Sequence, residues 1–295
     1  MAEDLVYYDS AGTAWSLGTA TQHLIDEGAL GMPPIQNQVS DYAQQDGSNW
    51  LGVKIKPRVL NIVFAKGDTS RSNYFTNRAT YLAAMKPNAS AGTLRKTLPN
   101  GDQYELTNVR LDGGMALDRQ DQIGAHSVRF AARLIAYDPI WRKLPINSQT
   151  FALDSALYLA FPIEFPIRFG GSLIDSTVAV VNAGTWKTYP IITLTAPMTN
   201  PTITNQTTGK VIGLTCSIAA GRVVTIDLSP GVKTIVDDLG VSYVGYLNSN
   251  SDLSTFYLAA HPEASAGSNS IRVQASGAVV TSGVAMSWYS KFIGI

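Results

Sequence analysis

The stretch VVTIDLSPG, residues 223–231, places apolar side chains at every second position before it reaches a turn at Gly231. Val224, Ile226 and Leu228 would share one face of a strand, because successive side chains of a strand point to opposite sides. The stretches SIRVQAS at residues 270–276 and GVAMSW at residues 283–288 repeat this period. The alternation predicts half-buried strands, each with one apolar face.

Strand-like runs follow one another at close spacing from Val178 onward, without a helical period. Glycines fall between these runs, and we interpret five of them as turn residues: Gly209, Gly221, Gly231, Gly240 and Gly267. About eight to ten short strands separated by such turns are typical of a β-sandwich or jelly roll. The second half of the chain is therefore predicted to be all β.

The first half combines strands with one helix. Residues 51–64 predict extended chain with a break or edge at Pro57, since proline cannot donate to a β-ladder. Residues 71–86 predict a helix that follows an N-cap-rich turn at residues 66–70 and stops at Pro87. The residues at helical spacing on one face are Phe75, Ala79, Leu82 and Ala83.

Two further β elements complete the first half. Residues 93–98 and 104–111 flank an Asn100-Gly101 turn and predict a hairpin. A loop rich in Gly and Asp at residues 112–124 leads to a long strand at residues 126–137, which ends at Asp138-Pro139.

The boundary between the two halves is predicted within residues 142–177, where Phe161-Pro162 and Phe165-Pro166 interrupt short apolar pieces. We predict a mainly β protein in three parts. Residues 1–147 form an α+β N-terminal domain with one helix, residues 148–177 form a linker, and residues 178–295 form a C-terminal β-sandwich.

Charge is scarce and balanced in this chain. Charged residues make up 15% of the sequence, against about 25% in an average soluble domain. Lys and Arg total 22, as do Asp and Glu, so the formal net charge is +0. Such a surface suits a subunit covered by neighbours, but it is equally compatible with a monomer whose polarity comes from Ser, Thr and Asn. The absence of a basic excess argues against a dedicated nucleic-acid binder.

The N-terminal residues are acidic and lack the apolar run of a signal peptide. The longest apolar stretches are shorter than the ~20 residues that a membrane helix needs. We therefore expect synthesis in a cytoplasm and no membrane segment.

No motif predicts a catalytic, cofactor-binding or metal-binding residue. His23, His126 and His261 lie outside any zinc motif and are interpreted as surface or strand-end residues. The single cysteine, Cys216, is predicted to be a buried structural thiol. The pair Asp237-Asp238 could share a cation, but a solvated turn is favoured because no calcium-loop pattern follows.

Other short patterns also have simpler structural interpretations. Thr208-Gly209-Lys210-Val211 lacks the upstream glycine and the following Ser or Thr of a phosphate loop. Gly170-Gly171-Ser172 is interpreted as a turn, not a nucleophile elbow. Asn88 and Asn205 match the glycosylation pattern without further implication. Within the 112–124 loop, surface or intersubunit contacts are expected for Asp118, Arg119 and Asp121.

Five tryptophans could serve either as sugar-stacking platforms or as protein-interface residues: Trp15, Trp50, Trp141, Trp186 and Trp288. We favour the interface role, because aromatic residues are enriched at interface cores. Trp288 lies on the apolar side of its strand and is predicted to be core. Exposed positions near loops are expected for Trp15, Trp50 and Trp186.

An ordered series of residues resembles the siphophage-type distal tail proteins. In the first half it comprises Asp46-Gly47, Arg58, the proline-terminated helix and AYDPIW at residues 136–141. In the second half it runs through Asn182-Ala183-Gly184, YPII at 189–192, NPTI at 200–203, Asn205, TTG at 207–209, Gly221, Ile226-Asp227 and Gly231. It finishes with STFYL at 254–258, GSNSI at 267–271 and an aromatic last strand.

The resemblance implies a structural virion protein at the tail tip or baseplate, assembled in the host cytoplasm. N-terminal domains would form a hexameric ring whose lumen continues the tail channel, with DNA passing through it non-specifically. A galectin-like sandwich outside the ring would offer a docking surface. The implied partners are other copies of the chain, the tail tube protein, the tail-tip hub protein and receptor-binding proteins. No enzymatic activity or cofactor is implied, and galectin-like describes the fold alone.

Residues 28–50 and 112–124 are predicted to make intersubunit or axial contacts, because they are long and irregular for a compact domain. Two alternatives remain open. A carbohydrate- or receptor-binding module of a tail or adhesin would show an exposed aromatic cluster, and a glycan hydrolase would need two carboxylates across a cleft.

Overall fold

The computed structural model describes residues 4–19, 23–25, 30–44, 46–68, 70–86, 90–118, 126–152 and 173–295. The described residues are mostly strands, and the predicted mainly β fold is confirmed. They form two compact units. The first contains the described residues up to Leu144 together with Phe292–Ile295, and the second runs from Pro145 to Lys291.

The first unit contains eleven strands and one helix within the described ranges. The strands are β1 (Asp4–Tyr8), β2 (Ala14–Thr19), β3 (His23–Ile25), β4 (Ile35–Ser40), β5 (Asn49–Ile55), β6 (Arg58–Asp68), β7 (Gly92–Thr97), β8 (Gln103–Leu111), β9 (Ala116–Asp118), β10 (His126–Ala136) and β11 (Trp141–Leu144). The helix α1 (Arg71–Ala84) connects β6 to β7.

The main sheet of this unit is antiparallel, in the order β2-β1-β7-β8-β10-β6-β3, and β4 with β5 forms a separate two-stranded sheet. The predicted hairpin is confirmed as β7 paired with β8, with Gly101 at φ +89° in the turn. The predicted break at Pro57 is also confirmed, since β5 ends at Ile55 and β6 begins at Arg58. The 112–124 segment, predicted to be a loop, contains β9, which pairs with β10.

The helix α1 begins at a capped end. The Ser70 hydroxyl accepts a hydrogen bond from the Asn73 backbone N–H at 3.2 Å, as an N-cap residue does. Strand β6 continues through Asp68, so residues 66–68 of the predicted turn are part of that strand. The helix ends at Ala84, before Pro87.

The core of the first unit is aromatic where the helix meets the sheet. The rings of Phe64 and Phe130 stack at 4.8 Å, and the ring of Tyr81 packs against both. The Tyr81 hydroxyl donates to the Ser16 carbonyl at 2.7 Å, so its one polar atom is satisfied. The side of α1 that carries Tyr81, Ala84 and Met85 is therefore the buried side.

The second unit is a β-sandwich. Its strands are β12 (Asn147–Ala152), β13 (Leu173–Val181), β14 (Ile191–Thr195), β15 (Met198–Asn205), β16 (Lys210–Gly213), β17 (Ser217–Ile218), β18 (Val223–Asp227), β19 (Thr234–Asp237), β20 (Ser268–Ser276) and β21 (Gly283–Trp288). One sheet has the order β12-β21-β14-β18-β19, and the other β13-β20-β15-β16 with β17 on β15. The short β22 (Lys291–Phe292) follows where the chain returns to the first unit.

The alternating residues predicted to face inward all lie in the core between these two sheets: Val224, Ile226, Leu228, Ile271, Val273, Ala275, Val284, Met286 and Trp288. The five predicted turn glycines all have positive φ. Of the predicted linker, residues 148–152 and 173–177 belong to β12 and β13, and residues 153–172 lie outside the described residues.

Candidate assembly surfaces

The two-stranded sheet is an amphipathic hairpin. Its register pairs Ile35 with Ile55, Asn37 with Val53 and Val39 with Trp50. Directly opposite residues of an antiparallel pair share a face, so these six side chains lie on one side. The Trp50 indole N–H donates to the Asn37 side-chain oxygen at 3.4 Å on that side. The other side carries Gln36, Gln38, Ser40, Asn49 and Lys54.

The apolar face of this hairpin is exposed. Trp50 is 66% and Val39 53% exposed, and Leu51, at the register shift of the hairpin, is 66% exposed. A two-stranded hairpin is marginally stable on its own in water. Exposed apolar side chains grouped in this way mark an interaction site. The hairpin is therefore our first candidate assembly surface.

The root of the hairpin is held by Arg58, the first residue of β6. Its guanidinium donates to the carbonyls of Pro139 at 2.9 Å, Gly31 at 2.8 Å and Ile293 at 2.7 Å. Arg58 is fully buried, and burial lowers its pKa to about 10, which leaves it charged at neutral pH. Because Gly31 precedes β4 and Arg58 follows β5, this side chain fixes both ends of the hairpin.

The helix α1 supplies a second exposed apolar surface. The predicted grouping of Phe75, Ala79, Leu82 and Ala83 on one face is correct, but that face is exposed to solvent. Phe75 is 49% exposed and Leu82 40% exposed. Arg71 lies over the Phe75 ring at 5.9 Å, which places a cation beside the apolar residues.

A third exposed apolar group lies in the second unit, after β19. Leu239, Val241, Val244 and Tyr246 are all exposed there, and the Tyr243 and Tyr246 rings are 5.5 Å apart. The segment is fixed to the sandwich, because the Asp237 and Tyr243 backbone N–H groups donate to the Val241 and Ile235 carbonyls.

The acidic pair at the end of β19 differs from its prediction. Asp237 is buried, not solvated: its carboxylate accepts from the backbone N–H groups of Leu239 and Val241 and forms an ion pair with Arg222 at 3.1 Å. Asp238 is exposed. These bonds explain the carboxylate as a turn-fixing group. Among the residues that the structure describes, His, Cys, Asp and Glu form no cluster of three or more suited to a metal ion.

Other residues singled out in the sequence have structural roles. Cys216 is half-buried against the sandwich core, and burial raises its pKa, which disfavours the reactive thiolate. Lys210 forms an ion pair with Asp252 at 3.2 Å. His261 is exposed and precedes Pro262.

Several residues singled out in the sequence lie partly or wholly outside the described residues. His23 and His126 begin β3 and β10, and Asp118 ends β9, but their side chains are not described. Asn88, Arg119, Asp121 and Gly170-Gly171-Ser172 lie outside the described residues. In the described part of the chain, no helix is long and apolar enough to cross a membrane.

The exposure of the tryptophans agrees only in part with the interface interpretation. Trp288 is buried in the core, as predicted, and its indole N–H donates to the Val181 carbonyl at 3.1 Å. Trp50 is the exposed one, whereas Trp15 and Trp186 are half-buried and Trp141 is fully buried.

Residues 28–50 contain a regular element that the sequence analysis missed. Ile35, Asn37 and Val39 are spaced at the strand period, and so are Val53 and Ile55. The polar Asn37 and the extra residue Leu51 interrupt the alternation of apolar and polar residues, so the sequence does not show the strand period that predicts a hairpin.

The comparisons with known proteins give one family match and a set of structural matches. Residues 183–288 match the family described as Siphovirus-type tail component, C-terminal domain. The chain is similar to the crystal structure of the Dit protein of phage SPP1, with a TM-score of 0.63, 12% sequence identity, and coverage of 98% of this chain and 99% of that chain. At this identity the likeness establishes the fold.

Two baseplate structures of phage P2 in its activated conformation, with Ca and with Sr, both match at a TM-score of 0.46 and 9% identity. They cover 98% and 97% of this chain, and equal shares of their own chains. No curated protein matches the chain. The resemblance to siphophage-type distal tail proteins is confirmed: residues 183–288 match a siphovirus tail-component family, and the chain shares the fold of the SPP1 Dit protein.

Proposed function

We propose that this protein is a tail-tip subunit that joins copies of itself into a six-membered ring between the tail tube and the baseplate. The family match and the fold support the tail assignment. The observation that carries self-assembly is the amphipathic β4–β5 hairpin, whose apolar face is exposed. The proposed role of the protein is structural: the hairpin joins neighbouring subunits, and the protein performs no chemical turnover.

Contact between subunits would remove the area of this apolar face from water, which favours association. Fully burying one large apolar side chain is worth about 1.5–3 kcal/mol. Ile35, Val39, Trp50, Leu51 and Val53 together could therefore contribute several kcal/mol per contact, offset by the cost of association. In a closed ring each subunit makes this contact with one neighbour and receives it from the other.

The remaining partners follow from the position proposed for the ring. One side would meet the tail tube protein and the other the tail-tip hub protein, while the sandwich would offer a docking surface to receptor-binding proteins. The net charge of +0 suits a channel that DNA crosses without being held, because phosphate binding requires an excess of Lys and Arg. The mature location would be the virion, after assembly in the host cytoplasm.

The glycan-binding alternative is less well supported at the exposed aromatic residues. Trp50 and Tyr42 belong to the hairpin region. Trp50 shares its face of the hairpin with the aliphatic Val39 and Val53, and the polar Asn37 on that face already accepts a hydrogen bond from the Trp50 indole. Sugar recognition needs convergent hydrogen-bonding groups beside the aromatic ring, whereas an apolar surround is typical of a protein interface. Residues 112–124 stay a predicted region of intersubunit or axial contact.

The test compares the purified full chain with two double variants by light scattering and negative-stain microscopy. The wild type should form six-fold rings. Trp50→Ser with Val53→Ser, on the apolar face, should leave a folded monomer. The control Gln36→Ser with Gln38→Ser, on the opposite face of the same hairpin, should still form rings. A wild type that stays monomeric at every concentration contradicts ring assembly, and intact rings in the apolar-face variant contradict the role of the hairpin.

A further inference from the structure

A head-to-tail ring requires two unlike surfaces on each subunit, because every contact joins one patch to a different patch on the next copy. The hairpin supplies one. Resting on the proposed function, we infer that the second is the exposed face of α1, and that the apolar face of one copy's β4–β5 hairpin packs against α1 of the next copy.

The exposed face of α1 is a continuous stripe. Residues 71, 75, 78 and 82 follow a spacing of four, three and four, which keeps them on one side of a helix. Arg71, Phe75, Arg78 and Leu82 therefore alternate cation and apolar group along this stripe. The small Ala79 and Ala83 lie beside it and allow another chain to approach closely.

The charges of the two surfaces are complementary. The helix contains Arg71 and Arg78 and no acidic residue. The connection between β4 and β5, residues 41–48, contains Asp41 and Asp46 and no basic residue. Apolar contact along the strands would therefore be accompanied by attraction between the hairpin tip and the helix arginines. This complementarity favours a second copy over an unrelated apolar partner as the occupant of the helix face.

The dimensions also agree. A helix of 14 residues is about 21 Å long, and a strand of six residues spans about 20 Å. The two surfaces leave opposite ends of β6, because β5 precedes Arg58 and α1 follows Asp68. A strand of 11 residues separates those ends by about 33 Å. This separation suits a head-to-tail contact, in which the hairpin binds one neighbour and α1 binds the other.

The decisive experiment mixes two variants that each lack one half of the contact. The hairpin variant Trp50→Ser with Val53→Ser keeps its helix face, and the helix variant Phe75→Ser with Leu82→Ser keeps its hairpin. Each should be monomeric alone. Mixed in equal amounts, they should form a 1:1 heterodimer and no ring, because only one intact contact remains. Light scattering and capture through a tag on one variant measure the stoichiometry.

A charge-reversal series provides an independent readout. Asp41→Arg with Asp46→Arg should weaken ring assembly about 1.4- to 5-fold per exposed ion pair, as should Arg71→Asp with Arg78→Asp. The four changes together should restore assembly. If a serine variant fails to fold by circular dichroism, this rescue decides the question: recovery supports the contact and its absence overturns it.

The outcomes separate the two proposals. A wild type without rings removes the proposed function and this contact with it. Wild-type rings combined with a mixture that stays monomeric, or with a helix variant that still forms rings, overturn the hairpin–helix contact and leave the ring intact.

Discussion

Arg58 shows how one side chain can organise a functional element. Its guanidinium contacts carbonyls at sequence separations of 27, 81 and 235 residues. It also lies 5.9 Å from the Trp141 ring, at which distance a cation–π attraction contributes. The planar fork of arginine suits several carbonyls at once, and lysine could not reproduce it. Arg58 is therefore a structural residue that positions the hairpin.

Replacing Arg58 with methionine should lower the free energy of unfolding of the first unit by about 3 kcal/mol or more. Three carbonyls would each lose a charged donor, and an unsatisfied buried acceptor costs about 1–3 kcal/mol. Chemical denaturation measures the change. The control is Arg133→Met: Arg133 is largely exposed and pairs with Asp112 at 3.0 Å, so its loss should cost about 1 kcal/mol or less. Equal losses in the two variants would contradict the assigned role.

At the scale of elements, the residues that carried the family resemblance in the sandwich form a buried amide network. Asn269 in β20 donates to the Ala259 and Gly267 carbonyls, and its oxygen accepts from the Ala259 N–H and from Asn205. Asn182, after β13, donates to the Trp186 and Leu258 carbonyls. These asparagines fix strand ends and loops, so the roles that the structure gives them are in the fold.

Asn269→Ala should therefore destabilise the second unit by about 2–4 kcal/mol, since Asn205 and the Ala259 backbone would lose buried partners. Thermal unfolding detects this change. Asn250→Ala is the matched control, because Asn250 is exposed and its replacement should be nearly neutral. A neutral Asn269→Ala would show that the network can be replaced by water.

Sequence reasoning predicted the sandwich strands well, because their apolar residues alternate without interruption and lie between glycine turns. It grouped the α1 residues correctly but could not tell which side would be buried. Both sides of α1 contain apolar residues, and the aromatic partners of Tyr81 lie in β6 and β10, far from it in sequence. Strand β5 was predicted from residue 51 onward, but β4 and its pairing with β5 were missed because Asn37 and Leu51 break the alternation.

At the scale of the whole molecule, the last four residues do not belong to the unit that precedes them in sequence. Phe292–Ile295 belong to the first unit although the preceding residues 145–291 form the second. The Phe292 ring meets the Tyr104 ring edge-on at 5.4 Å, and the Ile295 N–H donates to the Leu30 carbonyl at 2.9 Å. No local pattern could predict these contacts, because their partners lie more than 180 residues earlier in the sequence.

Removing Phe292–Ile295 should lower the stability of the first unit selectively. The deletion takes away the Ile293 carbonyl that Arg58 uses, the ring contact with Tyr104 and the bond to Leu30. A loss of about 3 kcal/mol corresponds to a fall of roughly 10 °C for a unit of this size. Because each unit has its own core, calorimetry should resolve two transitions, of which only one moves.

The control for this deletion is Val280→Ser, an exposed change in the second unit that should move neither transition. A deletion that shifts both transitions equally would show that the units unfold together, and one that shifts neither would show that Arg58 and Leu30 find other partners. A shift of the first unit's transition alone would instead establish that the bond from Arg58 to the Ile293 carbonyl, 235 positions away in sequence, holds the base of the hairpin. Ring assembly should then weaken in the deletion variant as well, although every residue of the hairpin face is retained.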